Sequence, residues 1–260
     1  EALGTKWANS FVEGEGQATI SQLRKIDAKQ LIEAGSSNTR VTVDGWLLPG
    51  RPVELFSHGK QADVPMMIGT TKDEGNYFIR YVGSKSREQF QQKLNGFYGA
   101  AGAQVASLYP GETEKELTAA GCLFCTDSWF LQPSRRMLQG MRQVKSPAYQ
   151  YLFARSSKSY PYLGAPHAVE LAYVFDTVNR ETASKADRKL AETMNRCWAQ
   201  FAKTGNPNAA GFPEWPTYTM ESREYLVLDH EMRRDARLRD KACDVLDRAS
   251  KAVYQQSSKK

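Results

Sequence analysis

The chain holds three histidines among its 260 residues, and one of them, His167, stands in surroundings that suit proton transfer. It lies in Gly164-Ala165-Pro166-His167-Ala168-Val169-Glu170-Leu171-Ala172-Tyr173-Val174-Phe175. Gly164 and Pro166 punctuate the backbone, so the imidazole should ride on a turn just before an ordered segment. With an ordinary pKa of about 6.5, an imidazole can take and return a proton near neutral pH. A capped surface histidine beside a turn has the same local sequence, so His167 needs a partner before it means chemistry. Carboxylates are available upstream in Thr70-Thr71-Lys72-Asp73-Glu74-Gly75-Asn76-Tyr77-Phe78. Asp73 and Glu74 directly follow an apolar run, and the carboxyl ends of buried strands are where open α/β sheets place their chemistry. Asp also suits an N-cap and Glu a first helical turn. One carboxylate can cap while the other works.

The remaining reactive residues point elsewhere. Cys122, Cys125, Cys197 and Cys243 are too few to build a disulfide framework in a chain of this size. Cys122 and Cys125 form a lone CxxC, which could be redox-active or half of a zinc site. No second CxxC or nearby His-x-x-x-His completes a tetrahedral set, so no metal and no cofactor are expected. Flanking Leu123 and Phe124, the two thiols read as small buried hydrophobes. The net charge is +6. Its most visible source, Arg233, Arg234, Arg237, Arg239 and Lys241, is interleaved with Asp235, Asp240 and Asp244 in the manner of a solvated helical face. No basic stripe with aromatic platforms appears, which argues against nucleic acid.

The elements that must position His167 and the carboxylates follow from periodicity. Composition is that of an ordinary globular protein, 41% hydrophobic and 25% charged. No run approaches the roughly 18 apolar residues of a membrane helix, so no span is expected. Glu1 to Lys6 lack the basic start and apolar stretch of a signal peptide; the expectation is a soluble protein, secreted or periplasmic rather than cytoplasmic. Residues 1–35 read as helical pieces, and Thr39 to Pro49 as an extended piece closed by the Asp44-Gly45 turn. Asp63 to Thr70, a compact apolar run bounded by Pro65 and Gly69 around Met66-Met67-Ile68, fits a fully buried strand of a parallel sheet. Residues 84–121 read as helices and loops, a peripheral, lid-like segment. A helix runs from Asp127 to about Met141, a strand over Ala148–Ala154, and the clearest helix from Ser184 to Lys203. In that helix Leu190, Met194, Cys197, Trp198 and Phe201 form the core stripe and Gly205 the stop. A last strand covers Glu224–Leu228, and a polar helix runs from about Arg234 to Tyr254.

Several of these motifs fall into one order. Val43-Asp44-Gly45 to Leu48-Pro49, Pro65 to Gly69, and Thr70 to Gly75 resemble the type-B carboxylesterase (cholinesterase-like) family. Asp127-Ser128-Trp129-Phe130 with Pro133-Ser134-Arg135 is similar to that family's next segment, and Gly164 to Leu171 with Val174-Phe175 to its histidine motif. Trp198 to Asn208, then Trp215-Pro216, resemble its C-terminal signature. The resemblance runs from about Leu23 to Cys243. It implies an α/β-hydrolase fold, a mixed, mostly parallel sheet flanked by helices, with 1–260 as the C-terminal part of one catalytic domain. It also implies ester hydrolysis by a Ser-Glu-His triad. By position Glu74 corresponds to the acid and His167 to the base, whereas Asp73 matches a neighbouring carboxylate that is not catalytic. The chain order acid before His agrees with that fold.

The chain departs from the family at one decisive place. No Gly-x-Ser-x-Gly occurs in it. The resemblance therefore implies a small-molecule ester as substrate and, as partner, an N-terminal half that supplies the nucleophilic serine and the oxyanion donors. Without them this stretch alone should be inert. Ser128 and Ser36-Ser37 do not sit in a nucleophile elbow. Tyr77, Phe78, Trp129 and Phe130 are the candidate substrate-binding residues, suited to an acyl or aromatic group. Cys243 corresponds roughly to a paired cysteine of cholinesterases, but its partner position is Gln132, which implies a free thiol. Cholinesterase-like binding or adhesion domains without catalysis are the alternative; such relatives typically lack triad residues, whereas Glu74 and His167 both stand in intact motifs.

Overall fold

The computed structural model describes residues 2–12, 16–35, 41–156 and 159–257, arranged as two units, 1–51 and 52–260. The first unit carries α1 (Ala2–Asn9), α2 (Ile20–Leu23) and α3 (Ala28–Glu33). Local capping explains the two short ones. Thr19 and Gln22 form a reciprocal capping box, and Asp27 accepts from the Lys29 amide. Of the extended piece expected over Thr39 to Pro49, Thr39 and Arg40 lie outside the described residues and Val41–Asp44 form no strand. The turn is there: Asp44 Oδ1 accepts from the amides of Trp46 (3.0 Å) and Leu48 (2.9 Å).

The second unit is a four-stranded sheet in the order β1 (Met66–Thr71), β2 (Ala148–Phe153), β3 (Glu224–Leu228), β4 (Arg233–Ala236). The first three strands run parallel and β4 antiparallel. Around it lie α4 (Pro52–Ser57), α5 (Ile79–Val82), α6 (Arg87–Tyr98), α7 (Gly102–Ala106), α8 (Glu114–Cys125), α9 (Gln132–Met141), α10 (Leu171–Val174), α11 (Lys185–Thr204) and α12 (Asp240–Ser257). This is the mixed, mostly parallel sheet flanked by helices that the motifs implied.

Strand alternation sorts the two faces. Met67, Tyr149, Tyr151, Phe153, Leu226 and Leu228 pack with Leu190, Met194 and Cys197 of α11. Met66, Ile68 and Ala148 turn the other way, onto Leu138 and Met141 of α9. The α11 stripe is core as its spacing required, and Gly205 ends the helix in a left-handed conformation. Helices α6, α7 and α8, drawn from residues 84–121, build a second core. Phe90, Leu94, Val105, Leu117 and Phe124 share it with Leu246 and Ala249 of α12.

Three expectations change. β1 is not fully buried: Met66 to Gly69 are half-buried and only Thr70 and Thr71 are inaccessible, because β1 is an edge strand. The helix expected from Asp127 opens in a π turn, Thr126–Leu131, that continues α8 into α9. Pro133 has no amide to bond the Trp129 carbonyl, and Thr126, Ser128 and Ser134 each donate to the carbonyl four residues back. Both effects loosen the α-helical ladder. Finally, the basic cluster is not one helical face. Arg233 and Arg234 lie on the exposed edge strand β4, Arg237 and Arg239 adopt left-handed φ of 61° and 47°, and the helix starts at Asp240.

Arg239 leaves the surface to meet a buried charge. Its Nε and Nη2 donate to the two carboxylate oxygens of Asp127 at 2.6 Å each, and Tyr109 Oη donates to the same group at 2.9 Å. Beside it Arg135, 4% exposed, binds Asp240, Asp244 and Asp247 of α12, and Gln132 Nε2 donates to Asp247 at 2.7 Å. Removing one partner of a buried pair strands the other without compensation. Arg239→Met should therefore destabilise the fold by about 3 kcal/mol or more in chemical denaturation, with the loss concentrated in the α8–α12 layer.

Candidate active site

β1 delivers Glu74. After Thr71 the chain turns sharply and Glu74–Phe78 form a 3-10 turn. The Thr71 amide donates to Glu74 Oε1 at 2.8 Å, which folds the glutamate back over the strand end; Glu74 is only 4% exposed. Gly75 then lies directly on α8. Its amide donates to Thr126 Oγ1 at 2.9 Å, and that hydroxyl donates to the Cys122 carbonyl at 3.1 Å. A methyl group on Gly75 would land on the Cys122 carbonyl oxygen, so only glycine permits this approach.

His167 arrives from 93 positions downstream. His167 Nδ1 donates to Glu74 Oε2 at 2.7 Å, and the imidazole side chain is 41% exposed against 6% for the glutamate. No other hydrogen bond engages the ring among the described residues. Asp73 does not cap the turn that follows it. Its Oδ2 accepts from the Ala165 amide at 2.9 Å, its own amide donates to the Ala165 carbonyl at 3.0 Å, and Asn76 Nδ2 donates to the Leu163 carbonyl at 3.0 Å. The loop bearing His167 is thus fastened to the segment bearing Glu74.

The aromatic candidates gather on the same imidazole. Ring centroids of Phe130, Phe78 and Tyr77 lie 5.0, 5.5 and 6.0 Å from it. Trp129 reaches the group through Phe78, edge-on at 5.5 Å. Tyr77 and Trp129 are exposed and Phe78 and Phe130 half-buried, an open apolar group beside the imidazole. Ser128 donates its hydroxyl to the Phe124 carbonyl at 2.6 Å; Ser36 and Ser37 lie outside the described residues. Sequence periodicity gave no sign of Asp73 and Asn76 as tethers or of Thr126 as the rest for Gly75. These contacts join residues 51 to 92 positions apart.

The site's other titratable groups are shifted by burial. Glu170, three residues past His167, keeps a buried Oε2 without a hydrogen-bond partner. Burial, then the Glu74 charge, raises its carboxyl above the ordinary range, and His167 only partly offsets this. The Tyr151 phenol beneath is likewise pushed up by burial and by Glu170 and Glu74. All four cysteines are free and buried. Burial lifts Cys122 to about 11 and Cys125 to about 12, which makes both poor nucleophiles and ligands. Among the described residues no group of three or more His, Cys, Asp or Glu side chains is placed to hold a metal ion.

This geometry can be set beside known proteins. The model of the carboxylesterase family matches residues 5–246. The chain belongs to the carboxylesterase family. Para-nitrobenzyl esterase of Bacillus subtilis is 30% identical over 253 residues, covering 89% of this chain and 50% of that protein. Acetylcholinesterase of Bungarus fasciatus is 26% identical over 211 residues, covering 72% and 35% respectively. A solved PNB esterase superposes with a TM-score of 0.74 at 26% identity, over 94% of this chain and 54% of that one. As a carboxylesterase relative the chain has the α/β-hydrolase fold, and it spans about half the length of that para-nitrobenzyl esterase.

Two outcomes follow from this geometry. Gly75→Ala should force α8 and the Glu74 turn apart and cost about 2–3 kcal/mol, measurable in denaturant unfolding. For Glu170 the folded-state pKa is raised, so its contribution to stability is full below the unfolded value of about 4.3 and is lost as pH rises through the folded value. Glu170→Gln should therefore gain thermal stability relative to the native chain between about pH 4 and pH 7. Melting curves at both ends check this, and a pH-independent difference would count against it.

Proposed function

We propose that this chain supplies the acid and base of a serine carboxylic ester hydrolase. The observation that carries this reading is the 2.7 Å bond from His167 Nδ1 to the buried Glu74 carboxylate, made by an imidazole that stays 41% exposed beside Phe130, Phe78 and Tyr77. A serine hydroxyl needs a base beside it to attack an ester near neutral pH. Here His167 Nε2 takes the hydroxyl proton as the oxygen attacks the ester carbonyl carbon, and returns it to the departing alkoxide, leaving an acyl-enzyme. It then takes a proton from water, whose oxygen attacks the acyl carbon, and gives that proton back to the serine. Glu74 fixes the tautomer with hydrogen on Nδ1 and stabilises the imidazolium formed in each half. Phe78, Phe130, Tyr77 and Trp129 receive the apolar acyl or aromatic part of the ester.

The serine and the oxyanion donors come, on this reading, from the half of the hydrolase absent from these 260 residues. Supporting this, the sequence has no Gly-x-Ser-x-Gly, and no described serine bonds His167. The two sheet edges also differ. β4 is exposed and charged, as a free edge should be, whereas β1 presents the uncharged Met66-Met67-Ile68. An edge strand without charge leaves its backbone groups open to pairing, so β1 is suited to take another strand from that half. A binding domain without catalysis has no need of an aligned Glu-His pair.

In the complete hydrolase, His167→Ala should lower turnover of a chromogenic carboxylic ester by about a thousandfold or more, and Glu74→Gln by at least about a hundredfold. A covalent serine-directed phosphonate should label a residue outside this chain. Full activity in His167→Ala, or labelling of a serine within these 260 residues, would overturn the assignment.

A further inference from the structure

Resting on the acid–base assignment above, a second residue of the carboxylate doublet acquires a task. We propose that Asp73 is a positioning residue for His167, clamping the loop from which the imidazole reaches Glu74. Three hydrogen bonds fasten that loop to the end of β1. Ala165 N donates to Asp73 Oδ2 (2.9 Å), Asp73 N donates to Ala165 O (3.0 Å), and Asn76 Nδ2 donates to Leu163 O (3.0 Å). The charged acceptor makes the first the strongest of the three. Ala165 itself is fully buried, two residues before His167, so the clamp acts where the loop has least room to shift.

The loop is shaped to receive Asp73. Gly164 adopts a left-handed φ of 67°, and a methyl group there would collide with the Asp73 carboxylate. Ala168, directly after His167, also holds a left-handed φ of 65°, a strained backbone for a residue with a side chain. Strained backbone persists only where its surroundings over-determine it. A loop freed from Asp73 would relax through Ala168 and swing the imidazole off Glu74. The adjacent carboxylates thus divide the work: Glu74 holds the ring and Asp73 holds the backbone under it.

The test uses the 260-residue chain with ¹⁵N-labelled histidine. Its three histidines give few signals, and His58, with Nδ1 on the Glu54 carbonyl, and the exposed His230 serve as comparators. In the native chain the Nδ1 proton of His167 should appear as a downfield resonance protected from exchange. Asp73→Ala should speed that exchange by about tenfold or more while circular dichroism reports a folded chain. Asp73→Asn, whose amide oxygen can still accept from Ala165, should restore most of the protection. Native protection in a folded Asp73→Ala chain overturns the proposal and leaves the Glu74–His167 pair standing. Fast exchange in the Asn variant equal to that in the Ala variant also overturns it. If the native chain shows no protected proton, the acid–base reading falls as well. Should Asp73→Ala lose the fold, Asn76→Ala decides, since it removes the clamp's bond to the Leu163 carbonyl without straining the loop backbone. Exchange accelerated there supports the clamp, and unchanged exchange overturns it.

Discussion

Everything chemical in this chain depends on one closure, the return of residues 163–167 onto the end of β1. The Glu74 carboxylate is taken almost wholly out of water, which is costly for an unpaired charge. It is tolerated because the Thr71 amide occupies one oxygen and His167 the other. The imidazole needs that carboxylate to fix its tautomer, and the carboxylate needs the imidazole to complete its hydrogen bonds. Each half of the pair makes the other affordable.

The rest of the second unit can be understood as support for this closure. β1 and β2 align residue by residue from Met66–Ala148 to Thr71–Phe153, with 72–147 inserted between them as helices. α8 returns beneath the Glu74 turn closely enough to exclude any side chain at Gly75. The π turn that follows then presents Trp129 and Phe130 to the site rather than to the second core. A helical layer thereby supplies the floor under Glu74 and part of the wall beside His167.

Much of this was legible in the residues. The stripe in α11 at intervals of three and four and the apolar run at Met66 named their elements through periods that packing enforces. Glu74 and His167 were named by motif order, and Glu74, Tyr77, Phe78 and Phe130 lie against that imidazole while Trp129 touches Phe78. What was not legible had no periodic signal. β4 reads Arg233-Arg234-Asp235-Ala236, a strand held by backbone pairing and by charge suited to an edge, with nothing apolar to betray it. Arg239 looked like surface because its partner, Asp127, is 112 positions away. The capping alternative for Asp73 was reasonable on local grounds, but its carboxylate serves a loop 92 positions downstream.

The ion pairs between α12 and the earlier helices have a genetic corollary. A frameshift or stop before Asp240 would remove the partners of Arg135 and the cover from Leu117 and Phe124, residues encoded more than a hundred codons earlier. The Glu74 and His167 codons would both survive in such a message, yet the layer beneath Glu74 would be left charged and uncovered. Selection on a late, polar helix is in this sense selection on the acid of the pair, although the two never touch.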